Sequence, residues 1–367
     1  MDFTAEGLLD GLEGDQRRAR VELLTRLLEA GVSIDELKQA VADNRLALLP
    51  AERLMTQEEK YSIRDLARIA GVDEQLLLSL RRASGLPIED PDEVAFGDLD
   101  LEAARAIALF VEAGLPRSGL VEMSRIFGEL TARTAAATRA LIAETFAGGE
   151  LDEYSLSVRL AEVARDLRPL TVSLIEYLYR LHMREQMRNE IAISAQVDSG
   201  SVPGLQEVSA CFVDLVGFTG LGESIPPEEL GGLVGRLASM VSEAVAPPVR
   251  LTKMIGDAGM LVSEDTDALL DVALRLIDVA EQEDGDFPGL KVGVARGKAI
   301  HRWGDWYGSP VNIANRVTGI ARPGSVLVTG DVHEAATGEY RWSFAGERHL
   351  KGVQREVTLY RVRRAEA

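Results

Sequence analysis

This 367-residue sequence has very little cysteine and no long apolar runs. Its single cysteine, Cys211, has no second cysteine with which to form a disulfide, so the chain suits a reducing compartment. No stretch approaches the roughly 20 apolar residues that a membrane span needs, and the N-terminus has no basic start followed by an apolar run. We therefore predict a cytoplasmic protein with no membrane span and no signal peptide.

Several common functional motifs are also missing. The sequence has no GxxxxGK[ST] phosphate loop, and its four histidines show no zinc-ligand spacing: His182, His301, His333 and His349. Acidic residues outnumber basic ones, 59 against 40, which gives a formal net charge of −19. Because an acidic surface repels phosphate backbones, nucleic-acid binding is disfavoured as a function.

Apolar residues recur at helical spacing through the first half of the chain, which predicts an all-α domain. Within it, residues 61–86 resemble the helix-turn-helix at the start of the MerR-type regulators. A DNA-reading helix needs basic residues, and the second helix of this pair has only Arg81 and Arg82. A structural role is therefore favoured over DNA binding for this segment.

The last predicted helix of this half loses its apolar face after Leu181, which predicts an exposed connector. His182 lies there among charged residues, either as a pH-responsive group or, the favoured interpretation, as an ordinary surface histidine. The following segment, VDSGSVPG, holds turn residues and little else. We therefore predict an all-helical domain over residues 1–196, a linker over 197–205 and a second domain over 206–367.

The second half alternates β-rich segments with helical ones around predicted hairpins, which indicates an α+β sandwich of the ferredoxin-like sort. Asp214 follows a buried-looking strand, and Asp257 lies in the tight turn of a later hairpin. Two carboxylates raised at neighbouring strand ends suit Mg²⁺ or Mn²⁺, which bind through one or two carboxylates plus substrate phosphates. An aspartate in a turn is also commonplace, so the pair alone leaves metal binding open.

Four segments occur in an order that resembles the catalytic domain of the class III nucleotidyl cyclases. They are FVDLVGFTGL (212–221), KMIGDAGML (253–261), GDWYGSPVNIANR (304–316) and the closing segment HLKGVQREVTLYRV (349–362). The resemblance covers residues 207 to 362, and several motifs in the right order are a far stronger signal than one short pattern. More loosely, the N-terminal half resembles the helical regulatory halves of actinobacterial soluble cyclases.

The resemblance implies a site that uses two metal ions, held by Asp214 and Asp257. One metal activates the ribose 3′-hydroxyl for in-line attack on the α-phosphorus, and the other neutralises the triphosphate. The family's transition-state pair falls on Asn312 and Arg316, which orient the ribose and stabilise charge on the α-phosphoryl oxygens. These groups act across a subunit interface, so the resemblance implies a homodimer with two equivalent sites.

The base-reading residues of the family fall on Lys253 and Asp305. A lysine donor and an aspartate acceptor complement adenine N1 and N6, whereas guanine presents the reverse pattern. Family members that use GTP typically have Glu and Cys at these positions, and neither is present here. Lys351 matches a lysine that contacts the terminal phosphates of the substrate, although a lysine at such a position is usually only solvated.

These residues imply an adenylyl cyclase that converts ATP to 3′,5′-cyclic AMP and pyrophosphate, with an N-terminal autoinhibitory domain. Two alternatives remain. One is a guanylyl cyclase, which Lys253 and Asp305 oppose. The other is a non-catalytic, nucleotide-sensing regulator that binds DNA, which the complete set of site residues opposes.

Overall fold

The computed structural model describes residues 2–86, 90–146, 151–194, 204–283 and 287–365. The chain divides into two compact units, Met1–Gln196 and Val197–Ala367. Of the predicted linker, only Gly204 and Leu205 fall within the described residues. In the described parts of the chain, no helix is long and apolar enough to cross a membrane.

The N-terminal unit is built from helices, as the sequence predicts. A turn of 3-10 helix at Leu46–Leu48 precedes the third of them. The helices are α1 (Gly14–Glu29), α2 (Ile34–Ala42), α3 (Leu49–Met55), α4 (Ile63–Ala70), α5 (Glu74–Ala83), α6 (Asp98–Glu112), α7 (Arg117–Phe146) and α8 (Glu153–Ser194).

Helices α4 and α5 form the predicted helix-turn-helix pair, and local signals define its ends. Ser62 and Asp65 cap the start of α4 reciprocally, and Gly71 ends it with a φ of 70°. The Arg81 guanidinium lies over the Phe96 ring, 4.7 Å from its centroid. That arginine therefore packs on the unit's own core, which weakens the DNA-reading interpretation of α5.

Helix α8 becomes exposed earlier than the sequence predicts. Its side chains are largely exposed from Arg165 onward, sixteen positions before the predicted change at Leu181. The exposed stretch contains Pro169 and several large apolar residues, among them Leu170 and Leu174. The apolar spacing predicted burial, but α3 and α7 cover this part of the helix only in part and leave an open cavity of about 480 Å³ beside it.

The C-terminal unit is a mixed sheet with helices on both faces. Its strands are β1 (Leu205–Leu215), β2 (Arg250–Ile255), β3 (Ala258–Ser263), β4 (Leu290–Arg302), β5 (Asp305–Gly308), β6 (Ser325–Thr329), β7 (Tyr340–His349) and β8 (Glu356–Arg364). Its helices are α9 (Phe218–Leu221), α10 (Pro227–Ala244), α11 (Thr266–Gln282), α12 (Ser309–Ile320) and α13 (Gly330–Ala335).

Strand order in the sheet is β2-β3-β1-β4-β6-β8-β7, with β5 paired to β4. The β4–β6 pair is parallel and the other pairs are antiparallel. This arrangement confirms the predicted α+β fold after an all-α unit. The segment around Trp306 pairs with β4 as β5, because β4 continues to Arg302 and the chain turns back through Trp303 and Gly304.

Successive side chains of β1 point to opposite faces of the sheet, and each face has its own hydrophobic core. Cys211 and Val213 pack under α10 and α11, whereas Ala210 and Phe212 pack under α12. Burial raises the pKa of the Cys211 thiol to about 12, which keeps it protonated and unreactive at neutral pH. The cysteine is therefore a core residue.

Candidate active site

The two aspartates predicted to hold metal lie together at one end of the sheet. Asp214 is the penultimate residue of β1 and is paired with Ala258 of β3, which directly follows Asp257 in the β2–β3 turn. The backbone N–H of Leu215 donates to the carbonyl oxygen of Asp257 at 3.2 Å, which fixes the turn against the strand end. Gly256 makes this tight turn possible with a φ of 59°.

The electrostatics of this strand end favour a bound cation. Partial burial and the neighbouring Asp214 carboxylate together raise the pKa of Asp257, and Lys291 opposes the shift. Lys291 of β4 also forms an ion pair with Asp214, with 2.9 Å between Nζ and Oδ2. One ammonium group thus faces two acidic groups, which leaves negative charge for a divalent ion to neutralise.

The two residues predicted to read the base form an ion pair. Lys253 of β2 donates from Nζ to Oδ2 of Asp305, the first residue of β5. The other carboxylate oxygen, Oδ1, accepts from the backbone N–H of Trp306 at 2.9 Å, which holds the Asp305 side chain in place. A donor and an acceptor therefore lie next to each other, although they are 52 residues apart in sequence.

Asn312 and Arg316 lie on α12 and line one cavity of about 580 Å³. The closing loop between β7 and β8 forms its other wall through Gly352, Val353, Gln354 and Arg355. Among the described residues, Nη1 of Arg316 is buried without a hydrogen-bond partner. A buried guanidinium nitrogen without a partner is costly, and an anionic ligand in this cavity would satisfy it.

The site residues thus form three groups. The two carboxylates lie with Lys291, the residues predicted to read the base pair with each other, and the α12 pair lines the cavity. Among the described residues, the walls of that cavity include neither of the aspartates predicted to bind metal. Lys351 is exposed in the turn beside Gly352. Within the described ranges, no cluster of three or more His, Cys, Asp or Glu side chains could hold a metal.

Two residues escaped the sequence-based analysis. Lys291 is a charged residue in the otherwise apolar run LKVGV, and that interruption is a signal that could have identified it. Gly352 lies against the Arg316 guanidinium, and only its place beside Lys351 in the closing segment hinted at a role. Both contacts depend on pairing between distant segments.

Comparisons with known proteins identify the family of the chain. Residues 1–187 match the family described as "Adenylate cyclase regulatory domain", and residues 201–364 match "Adenylate and Guanylate cyclase catalytic domain". A pH-sensitive adenylate cyclase of Mycobacterium tuberculosis is 40% identical over 99% of this chain and 92% of its own length. An adenylate cyclase of Streptomyces griseus is 30% identical over 78% of this chain and 71% of its own. The chain therefore belongs to the class III adenylate cyclases that carry a regulatory domain before the catalytic domain.

Proposed function

We propose that this adenylate cyclase converts ATP to 3′,5′-cyclic AMP and pyrophosphate by two-metal catalysis at a homodimer interface, under control of the N-terminal unit. The observation that carries the proposal is the meeting of Asp214 and Asp257 at one strand end, where partial burial and the neighbouring Asp214 carboxylate raise the pKa of Asp257. The test is purified protein with Mn²⁺ and either ATP or GTP. We expect cyclic AMP from ATP and little product from GTP.

The donor set fits Mg²⁺ or Mn²⁺. Asp214 and Asp257 supply hard carboxylate oxygens, and these ions need only one or two carboxylates because substrate phosphates complete the coordination. When two such ions are bound, they lower the pKa of the ribose 3′-hydroxyl and neutralise the triphosphate. Lys291 lies beside Asp214 and adds a positive charge that would attract the same phosphates.

Base selection belongs, in this proposal, to Lys253 and Asp305. Their ion pair keeps a donor and an acceptor side by side, ready to exchange this mutual contact for hydrogen bonds to adenine. Guanine would place a donor against the lysine and an acceptor against the carboxylate, which leaves buried polar groups mismatched. A guanylyl cyclase activity is therefore disfavoured.

Asn312 and Arg316 act on the ribose and the α-phosphoryl group in this proposal. Nη1 of Arg316 has no partner among the described residues, so it is available to a phosphoryl oxygen. A hydrogen-bond donor that is already in place, and that gains its acceptor only as negative charge develops on the phosphoryl oxygens, stabilises the transition state more than bound ATP and so lowers the activation barrier. Lys351, exposed in the adjoining turn, would reach the terminal phosphates.

A homodimer follows from the separation of these groups. The cavity beside Arg316 has no metal-binding aspartate among its described walls, so a second chain would have to supply the carboxylates. Two chains related by a two-fold axis would then make two equivalent sites. The completeness of the site opposes the non-catalytic regulator, and the packing of Arg81 against Phe96 opposes DNA reading.

Metal binding predicts a change in thermal stability. Because the pKa of Asp257 is raised by folding, its ionised form costs the folded state stability, and this cost grows as pH rises from the ordinary carboxyl value through the raised one. We expect Asp257→Asn to melt above the wild type without metal. Mn²⁺ at one hundred times its Kd should stabilise the wild type by about 2.7 kcal/mol and the variant far less.

The control for this experiment is Glu334→Gln, an exposed acidic residue on α13. It removes one negative charge from the same unit without touching the strand end, and it should keep the full Mn²⁺ shift. Melting curves with and without Mn²⁺ supply the measurement. An equal Mn²⁺ shift in Asp257→Asn and the wild type would contradict the metal assignment.

Regulation by the N-terminal unit predicts that removing residues 1–200 changes the activity of the remaining catalytic unit. That unit has its own two cores, so it should fold and dimerise at high concentration. We expect several-fold higher activity, through release from inhibition, and a different pH response. The relative from Mycobacterium tuberculosis is named as pH-sensitive, which supports pH as the signal.

The measurement is cyclic AMP formation by both proteins across roughly pH 5.5 to 8, the range in which a histidine titrates. His182 is exposed on α8, so His182→Gln in the full chain separates its contribution from that of the whole unit. Identical pH profiles and rates for the full and shortened proteins would remove the regulatory proposal.

A further inference from the structure

The turn that follows Lys351 makes a close contact with the proposed transition-state arginine. Gly352 has a φ of +75°, the left-handed region that side chains rarely adopt. A Cβ built on it would lie 3.3 Å from both Nη1 and Nη2 of Arg316 and 3.6 Å from Cζ. Any side chain at this position would therefore press on the guanidinium itself.

The Arg316 guanidinium has one nitrogen that no polar group holds. Among the described residues, the buried Nη1 has no hydrogen-bond partner in the free protein. The stem of Arg316 leaves α12 next to Ile313 and Val317, which are buried in the core beneath that helix. The Gly352 backbone lies against the guanidinium on the side away from the stem and restricts its position. Both residues line the same cavity.

We propose that Gly352 is a positioning residue for the cyclisation reaction. Because this glycine has no side chain, it allows the Arg316 guanidinium to occupy its position in the site. The proposal rests on the role proposed above for Arg316. Gly352 directly follows Lys351, the predicted ligand of the terminal phosphates. One turn therefore carries that ligand and also restricts the position of the arginine proposed to face the α-phosphoryl group. Displacing the guanidinium by a few tenths of an ångström should weaken transition-state stabilisation more than ATP binding.

The test compares Gly352→Ala with Gly346→Ala. Gly346 has a φ of +96° and lies in the same unit, but its nearest side-chain neighbour is Arg348 at 3.9 Å from a built Cβ. Both variants carry the backbone cost of alanine in a left-handed conformation, and only one pushes on Arg316. We expect kcat to fall about 10- to 100-fold in Gly352→Ala, with KM for ATP changed less than about threefold, and both constants to stay near wild type in Gly346→Ala.

A second pair, Gly352→Asn and Gly346→Asn, keeps the test valid if alanine destabilises the fold. Asparagine tolerates the left-handed region better than other side chains, so it reduces the backbone cost while it retains the steric pressure. Melting temperatures measured alongside should fall by similar amounts within each pair. A loss of kcat restricted to the substitutions at position 352 supports positioning.

The double variant Arg316→Ala with Gly352→Ala separates this proposal from a general structural role. If the glycine acts through the arginine, its replacement should lower kcat no further once the arginine is gone. An equal further loss in the double variant, or a normal kcat in Gly352→Ala and Gly352→Asn while Arg316→Ala is impaired, overturns the positioning role alone. A near-normal Arg316→Ala would overturn the proposed role of the arginine as well.

Discussion

Replacing Asp214 with alanine is expected to lower kcat for cyclic AMP formation by at least about 10³-fold, since metal-ion stabilisation of a transition state is worth several kcal/mol. The carboxylate lies half-buried at the end of β1, with its charge opposed only by Lys291 of β4 among the described residues. Its removal leaves a single aspartate for the two proposed metal ions. The protein should remain folded, because the strand register around it consists of backbone pairs.

Asp278→Ala is the matched control. This aspartate lies on α11 of the same unit and forms an exposed ion pair with Arg364, a kind of contact that contributes little to stability. It should keep wild-type turnover in an assay of cyclic AMP at saturating ATP and Mn²⁺. Near-normal turnover in Asp214→Ala, with the fold verified by circular dichroism, would contradict the two-metal proposal.

The second large effect concerns base selection. The paired substitution of Lys253→Glu with Asp305→Cys should lower kcat/KM for ATP by roughly 10³-fold or more, because a site built for hydrogen bonds rejects a mismatched partner by several orders of magnitude. Lys253 and Asp305 are in contact in the structure, so both must be replaced to convert the hydrogen-bonding pattern of this site. Kinetics with ATP and GTP, and analytical ultracentrifugation for the dimer, supply the measurement.

The two single substitutions control for the lost ion pair. Each breaks the contact between Lys253 and Asp305 without completing the guanine-type set, so each should lose ATP activity without gaining GTP activity. The double variant should shift the ratio of the two kcat/KM values toward GTP. An unchanged preference for ATP in the double variant would mean that other residues read the base.

Local patterns were enough to predict much of the molecule. Helical periodicity and the hairpin turn that holds Asp257 each depend on neighbours within a few positions, so they can be seen in one sequence. The α+β fold and its all-α partner followed from them. The candidate site residues came mainly from the order and spacing of four motifs.

Long-range packing could not be predicted in the same way. The contact of Lys291 with Asp214 requires the antiparallel β1–β4 register, and the contact of Gly352 with Arg316 requires the closing loop to fold over α12. The early exposure of α8 had the same cause, since its apolar spacing predicted burial but could not say which element would cover it. Periodicity reports which face is apolar and leaves the identity of its neighbour open.

The shared site of the homodimer is the central claim, and mixing two inactive variants tests it most directly. Asp257→Ala removes a proposed metal ligand and Arg316→Ala removes the proposed transition-state donor, so each protein alone should retain only a small residual activity. In a heterodimer, one site combines the intact arginine of the first variant with the intact aspartates of the second. The other site collects both defects.

The account predicts restored activity on mixing, at about half the wild-type rate per heterodimer and about a quarter overall if the subunits pair at random. Subunit exchange is verified by pulling down one tagged variant and detecting the other. A mixture that exchanges subunits and stays as inactive as its parts would contradict the account, because the aspartates and the arginine would then serve the same subunit.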